Sequence, residues 1–271
     1  MKNSRRILAL AGVVLLLAAF CLPMFFAFGD SEEQKAMFRA SLGIAIFVPV
    51  FAYICMMAYR IFGKKKEKPM EGIANIIFDV GNVMTDYDWE GYLRGFGYPE
   101  EKYQRLADVL FRSETWNQRD KGDHPDEYYV EEFVSAAPEY EQEIREILRR
   151  SPECIHQREY AATWASYLKN KGYHLYVLSN YSDYMLKVNR KDMKFLKYMD
   201  GAVFSCEEKQ IKPYPDIYQT LISRYDLDPA RCVFLDDRQE NCDAAAALGI
   251  HAIRFVDFKQ AAEELEKLGV A

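Results

Sequence analysis

Hydrophobic residues follow two different patterns along this chain. From Ile7 to Phe28 and from Leu42 to Tyr59 the residues are almost wholly apolar and carry no charge. After Asn75 the apolar runs are short and alternate with stretches patterned at helical spacing. The two long runs are near the length that crosses roughly 30 Å of hydrocarbon. Spans of about 7–28 and 42–62 are therefore predicted, joined by the charged loop Gly29–Ala40. Lys2, Arg5 and Arg6 precede the first span, and Arg60, Lys64, Lys65, Lys66 and Lys68 follow the second. Basic flanks stay on the cytoplasmic side. Residues 1–68 are thus expected to form a hairpin in the cell (inner) membrane, with the rest of the chain in the cytoplasm. Ala27 and Gly29 also allow the first run to be read as a cleaved signal. The second span would then anchor the chain in the same orientation.

Beyond the linker at Lys68–Gly72, five runs have the profile of buried strands: Ile73–Val80, His174–Ser179, Ala202–Ser205, Cys232–Leu235 and His251–Phe255. Helical patterns over Ala161–Lys171, Pro215–Arg224 and Glu240–Leu248 fall between them, two of these ending at Gly172 and Gly249. This alternation predicts an α/β fold, a parallel sheet covered on both faces. The alternation fails from about Tyr87 to Gln157, which holds no convincing strand, only helical patterns around Pro99–Phe111, Asp126–Ala136 and Tyr140–Arg150. That length is too great for a loop in a compact sheet domain. The expected division is a core of 69–86 with 158–271 and a helical cap of 87–157.

Charge separates the two parts. Ten Lys/Arg and four Asp/Glu fall within the first 68 residues, so that segment carries +6 and the remainder −12 of a chain total of −6. So acidic a domain excludes nucleic acid as a partner, because phosphates would be repelled. Cys21 and Cys55 sit in the apolar runs, while Cys154, Cys206, Cys232 and Cys242 are scattered without a C-x-x-C pair. They are expected to be incidental thiols in a reducing compartment.

Four short segments lie at or just past predicted strand C-termini, where open α/β sheets bind ligands. They are FDVGNVMTD at Phe78–Asp86, LSN at Leu178–Asn180, IKPYPDIY at Ile211–Tyr218 and FLDDRQEN at Phe234–Asn241. Each alone is an ordinary turn or cap. In this order and spacing they resemble the four motifs of the haloacid dehalogenase-like superfamily. The strand ending FD-x-GNV is similar to a subgroup that includes bacterial α-glucose-1-phosphate phosphatases, a likeness that extends to Asp86, Asp88 and the cap segment Trp116–Gly122. The resemblance implies a Rossmann-like sheet in the order 5-4-1-2-3 with a helical C1-type cap inserted after the first strand. It implies Mg²⁺-dependent hydrolysis of a small phosphorylated metabolite, a sugar phosphate among the candidates. Asp79 would be the nucleophile that forms an aspartyl-phosphate, and Lys212 would neutralise charge on it and on the phosphoryl group. Ser179, Asn180 and Lys212 would bind phosphate. Asp79, the Gly81 carbonyl, Asp236 and Asp237 would hold the metal, Asp237 foremost of the pair. Asn241 would orient the loop of the acid pair.

This chain departs from the commonest pattern at Gly81, where most of these phosphatases carry an Asp that protonates the leaving group. General acid–base help of that kind is worth about 10²–10⁴ in rate. Three readings answer the gap. An anomeric phosphate, a good leaving group, needs less help, and Asp86, Asp88 or a water could supply it. A dehalogenase also lacks that Asp, but the Asp236–Asp237 pair argues against one. A membrane-tethered, catalytically weak sensor of phosphate ligands would need no acid. Trp89, Tyr92, Trp116, Arg119 and His124 are candidate pocket residues of the cap, and Tyr181 follows the second motif. His156, His174 and His251 are expected to be structural, and Gly81 and Gly91 to serve flexible turns.

Overall fold

The structure is a computed structural model that describes residues 72–270 continuously, together with scattered positions between 27 and 51. Its contacts divide the chain into two units, Met1–Lys68 and Pro69–Ala271. The expected spans 7–28 and 42–62 lie almost wholly outside the described residues. Among the described residues no helix is long and apolar enough to cross a membrane.

The second unit is built on seven strands: β1 (Asn75–Phe78), β2 (Thr85–Tyr87), β3 (Ile155–Gln157), β4 (His174–Ser179), β5 (Gly201–Phe204), β6 (Cys232–Asp236) and β7 (His251–Arg254). Five of them form one sheet in the order β5-β4-β1-β6-β7, every pair parallel. This is the order the family resemblance implies. Side chains on a strand alternate between faces, and both faces are apolar here. Ile76 and Phe78, Leu175 and Val177, and Val233 and Leu235 enter one core cluster. Ile77, Tyr176 and Leu178, and Cys232 and Phe234 enter the other. A sheet buried on both faces reads in sequence as continuous apolar runs, which is why these strands were visible there.

Between β2 and β3 run five helices: α1 (Trp89–Arg94), α2 (Glu100–Val109), α3 (Glu114–Lys121), α4 (Asp126–Ala136) and α5 (Glu141–Arg150). Six more follow: α6 (Glu159–Asn170), α7 (Asp183–Asn189), α8 (Ser205–Glu208), α9 (Pro215–Tyr225), α10 (Gln239–Ala247) and α11 (Phe258–Lys267). Helices α6 and α11 cover the first face through Trp164, Leu168, Ala261 and Leu265. Trp164 sets its ring edge-on to Phe78, centroids 5.1 Å apart. Helices α9 and α10 cover the second through Ile217, Tyr218, Leu221 and Ala245.

Two expectations need correction. The stretch 87–157 does contain a strand. β3 pairs antiparallel with β2, Tyr87 opposite Ile155 and Thr85 opposite Gln157, so the chain leaves and re-enters the core through one two-stranded ribbon. Three-residue strands are too short for a period of two to show. Gly91 sits inside α1 rather than in a turn, and its N–H donates to the capping Asp88 carboxylate at 2.8 Å.

The edge strand β5 leads into the segment that carries Lys212, and one tyrosine holds it. Tyr225 Oη accepts from Ala202 N at 3.0 Å and donates to Ala202 O at 3.2 Å, while its ring lies over Gly201. A Cβ at Gly201 would lie 2.1 Å from Tyr225 Cζ. Gly201→Ala must therefore displace the ring and both hydrogen bonds, at a cost of about 2–4 kcal/mol. Tyr225→Phe, which keeps the ring, should cost about 1 kcal/mol. Urea unfolding checks both, and equal stability of Gly201→Ala and the parent would contradict the packing described.

Candidate active site

Three of the five parallel strands end at one place. Asp79 follows β1 directly, Ser179 closes β4, Asp236 closes β6 and Asp237 comes next, while Lys212 arrives on the loop after β5 and α8. The chain ends of parallel strands present such tips together, so residues up to 158 positions apart in the sequence converge here.

Lys212 is at the centre. Its Nζ lies 2.9 Å from Asp79 Oδ1 and 2.6 Å from Asp236 Oδ2, and the lysine is 3% exposed. Its backbone is pinned by Asn180, whose Oδ1 accepts from Lys212 N at 2.9 Å and whose Nδ2 donates to Lys212 O at 3.1 Å. Asp236 is fully buried and accepts from Asn241 Nδ2 at 2.9 and 3.1 Å, so Asn241 orients the first acid of the pair. Asp237 accepts from Asn82 Nδ2 at 2.8 Å. Asn82 adopts a left-handed φ of 56° and its Oδ1 accepts from Tyr87 N at 3.2 Å, tying the loop after β1 to β2. Ser179 is buried, with Oγ 3.4 Å from the Asn180 carbonyl oxygen.

Carboxylate oxygens of Asp79, Asp236 and Asp237 all lie within 4.8 Å of one another. Burial pushes the Asp79 carboxyl up to about 7; Lys212 opposes this and Asp236 and Asp237 add to it. Burial also raises Asp237, against the hydrogen bond from Asn82. For Lys212 burial works against the charge, but Asp236 and Asp79 outweigh it and hold the ammonium firmly protonated. Three carboxylates facing one ammonium leave an excess of negative charge in a poorly solvated place. A hard divalent cation corrects it, and an oxygen-only set of few protein ligands suits Mg²⁺. The residues present fit that ion.

A cleft of about 690 Å³ opens beside the cluster, lined by Asn180 and Lys212 below and by residues of α3 and its C-terminal turn above. Lys121, His124, Lys209 and Arg238 also line it. A second cavity of about 80 Å³ is bounded by Gly81, Trp116, Asp120, Asn180, Tyr181 and Ser182.

The other sequence candidates divide. Trp116, Tyr181 and His124 line these cavities. Trp89 stacks on Phe111 at 5.0 Å, and Tyr92 Oη donates to the Ile147 carbonyl at 2.7 Å, so both serve the helical core. Arg119 is buried against Asp126, Nε 2.7 Å and Nη2 3.1 Å from its carboxylate. Asp86 pairs with Arg158 at 2.9 Å, and Asp88 caps α1. His156, His174 and His251 are exposed and away from both cavities. Sequence reasoning missed Asn82, whose signal was an Asn directly after a glycine, and singled out neither Asp120, within the cap segment Trp116–Gly122, nor Ser182.

The comparisons with known proteins agree with this arrangement. A model of the haloacid dehalogenase-like hydrolases matches residues 73–249. The sesquiterpene phosphatase astK of Aspergillus oryzae is 26% identical over 71% of this chain and 94% of its own length. The D-ribitol-5-phosphate phosphatase of Bacteroides thetaiotaomicron is 22% identical over 67% of this chain and 91% of its own. Acyl-CoA dehydrogenase family member 10 of Mus musculus is 31% identical over 56% of this chain, which spans only 15% of the mouse protein. A solved HAD family enzyme of Bacteroides thetaiotaomicron, in complex with magnesium and inorganic phosphate, shares the fold with a TM-score of 0.58 at 23% identity, over 70% of this chain and 99% of that one. With Asp79, Ser179, Lys212 and Asp236 all inside the matched segment, the chain belongs to the haloacid dehalogenase-like hydrolases.

Proposed function

We propose that this hydrolase cleaves a small phosphomonoester, a sugar phosphate being the class we favour, through an aspartyl-phosphate formed on Asp79. The observation that carries the reading is the buried Lys212 ammonium in contact with both Asp79 and Asp236. A carboxylate held this way is oriented for attack while its charge is partly masked. Val80 N donates to Asp79 Oδ1 at 2.7 Å, which fixes the same oxygen that Lys212 contacts and leaves Oδ2 as the attacking atom. Lys212, the Ser179 hydroxyl and the Asn180 amide are the donors assigned to the phosphoryl oxygens. Asp79, the Gly81 carbonyl, Asp236 and Asp237 are assigned to Mg²⁺, with Asn241 and Asn82 holding the acid pair in place. When bound, Mg²⁺ screens the repulsion between the carboxylate and the phosphate dianion.

The helical stretch 87–157 is assigned as a cap over the core of 69–86 and 158–271, and the 690 Å³ cleft between α3 and the Lys212 loop as its substrate pocket. The cleft sets Lys121, Lys209 and Arg238 beside Glu114, Asp123 and Asp216, and its volume suits a small ligand. The phosphatases named above act on ribitol phosphate and a sesquiterpene phosphate, which supports a phosphorylated alcohol as the substrate class. The acid pair in the fourth motif continues to argue against dehalogenation. The N-terminal 68 residues are proposed to anchor the hydrolase in the inner membrane with its catalytic unit cytoplasmic, on the strength of the two uncharged runs and their basic flanks.

Three outcomes are expected. Asp79→Asn reduces phosphate release over a panel of phosphorylated metabolites to background, and retained turnover would remove Asp79 as nucleophile. Mg²⁺ must displace the Asp79 proton, so its affinity should rise about tenfold per pH unit from pH 5 toward 7 and level off above. The stability of the metal-free protein runs the opposite way with pH. A carboxyl raised from 3.8 to about 7 by folding stabilises the metal-free protein at low pH, and that contribution is lost as pH climbs through 7. Thermal shift with and without Mg²⁺ at pH 5 and pH 8 reads this, and a pH-independent shift would contradict it. Finally, the full chain should stay in carbonate-washed membranes, with Pro69–Ala271 open to protease only from the cytoplasmic side. Release by carbonate would remove the anchor.

A further inference from the structure

The leaving group lacks its usual proton donor because position 81 is glycine. The acids nearest in sequence are committed elsewhere: Asp86 to Arg158, and Asp88 to the N-terminus of α1. The structure brings a different carboxyl group to the gap. Asp120, in the last turn of α3, lines the same cavity of about 80 Å³ as Gly81, a space for about two waters or a substrate hydroxyl.

Its placement is fixed from the core. Ser205 Oγ donates to the Asp120 carbonyl and accepts from Tyr181 N at 2.8 Å. Lys209 Nζ donates to the Gly122 carbonyl and, at 2.7 Å, to that of Cys206. The end of α3 is thus held at the tip of β4. The Ser182 backbone opposes the rise in the Asp120 carboxyl's pKa. Ser182, 1% exposed, lines the cavity, and its buried hydroxyl has no hydrogen-bond partner. Such an orphaned buried hydroxyl costs about 1–3 kcal/mol unless a ligand or water meets it.

We propose that Asp120 supplies the acid–base group that Gly81 lacks, a role that rests on the phosphatase reading of Asp79. As Asp79 bonds to phosphorus, the ester P–O bond breaks and its electron pair leaves on the substrate oxygen. The Asp120 carboxylic acid gives its proton to that oxygen, releasing the alcohol. The Asp120 carboxylate then takes a proton from water as the water oxygen attacks phosphorus. The Asp79 oxygen–phosphorus bond breaks with its electron pair left on the carboxylate, phosphate departs, and Asp79 and Asp120 return to their starting forms. The Ser182 hydroxyl bonds the leaving oxygen or the water.

The surroundings suit an acid poised near neutrality. Burial lifts the Asp120 carboxyl to about 7, Asp79 adds to this, and Arg119 and Arg238 oppose it. Arg119 bonds Asp126 through Nε and Nη2 while its buried Nη1 has no partner, and Arg238 lies 2.6 Å from Glu240. The remaining titratable neighbours, Tyr87, Tyr181, Cys154 and Cys206, are all raised by burial and stay neutral.

The test uses the full chain, Asp120→Asn and a series of para-substituted phenyl phosphates. Nitrophenolate leaves without a proton, whereas phenol needs one. Wild-type kcat/KM should depend only weakly on leaving-group acidity. In Asp120→Asn it should fall about 10²- to 10⁴-fold for phenyl phosphate and at most about tenfold for p-nitrophenyl phosphate. The variant should also accumulate a hydroxylamine-sensitive phosphoenzyme, because the attack of water has lost its base, and that accumulation shows the variant is folded. A uniform drop across the series, or a steep dependence already present in the wild type, overturns the assignment. The wild-type slope decides the matter even if the variant does not fold. Absence of wild-type turnover that Asp79→Asn abolishes would instead overturn the phosphatase reading itself, and this assignment with it.

Discussion

A single buried ammonium organises this hydrolase. Lys212 stands almost without solvent between Asp79 and Asp236, and a charge so placed is tolerated only when paired and hydrogen-bonded. Removing Lys212 would leave Asp79 and Asp236 buried side by side with no cation between them. The rest of the sheet serves that pairing. β1 and β6 lie side by side, in register from Asn75 opposite Cys232 to Phe78 opposite Leu235, so that their terminal acids emerge as neighbours. Asn180 at the tip of β4 clamps the Lys212 backbone from the other side.

The pairing is incomplete, and that incompleteness is what gives the site its chemistry. One ammonium does not neutralise three carboxylates, and burial raises Asp79 and Asp237. The deficit favours uptake of a divalent cation, for which the three carboxylates offer oxygen ligands. Cation and phosphate dianion together restore balance in a place where water is scarce, and there electrostatic interactions are stronger than in bulk. The helical stretch contributes through its least conspicuous part. α3 is a polar helix whose last turn is bonded to the β4 tip through Ser205, and its Asp120 lines the same cavity as Gly81.

Much of this could be read from the amino acids. The sheet strands were legible because both faces are buried, which turns them into unbroken apolar runs, and the candidate acids were legible because they end or follow those runs directly, whereas Lys212 lies on a loop past α8. Other features left no trace. β2 and β3 are three residues each and show no period. Gly91 looked like a turn because glycine usually marks one, yet Asp88 caps a helix around it. Asn82 needed its left-handed backbone to be seen before its bond to Asp237 had meaning. Asp120 sits 41 positions from Asp79 in a helix whose pattern gives no hint of burial; only the folded chain joins them. The two apolar N-terminal runs rest on their hydropathy and basic flanks alone.

The most direct test of the account is a crystal structure of the protein with Mg²⁺ and fluoroberyllate, a mimic of the aspartyl-phosphate. The account predicts beryllium bonded to an Asp79 carboxylate oxygen, Lys212 Nζ within hydrogen-bond distance of a fluorine, and Mg²⁺ held by Asp79, Asp236 or Asp237. Fluoroberyllate bound away from Asp79, or a metal seated on a different set of residues, would contradict it.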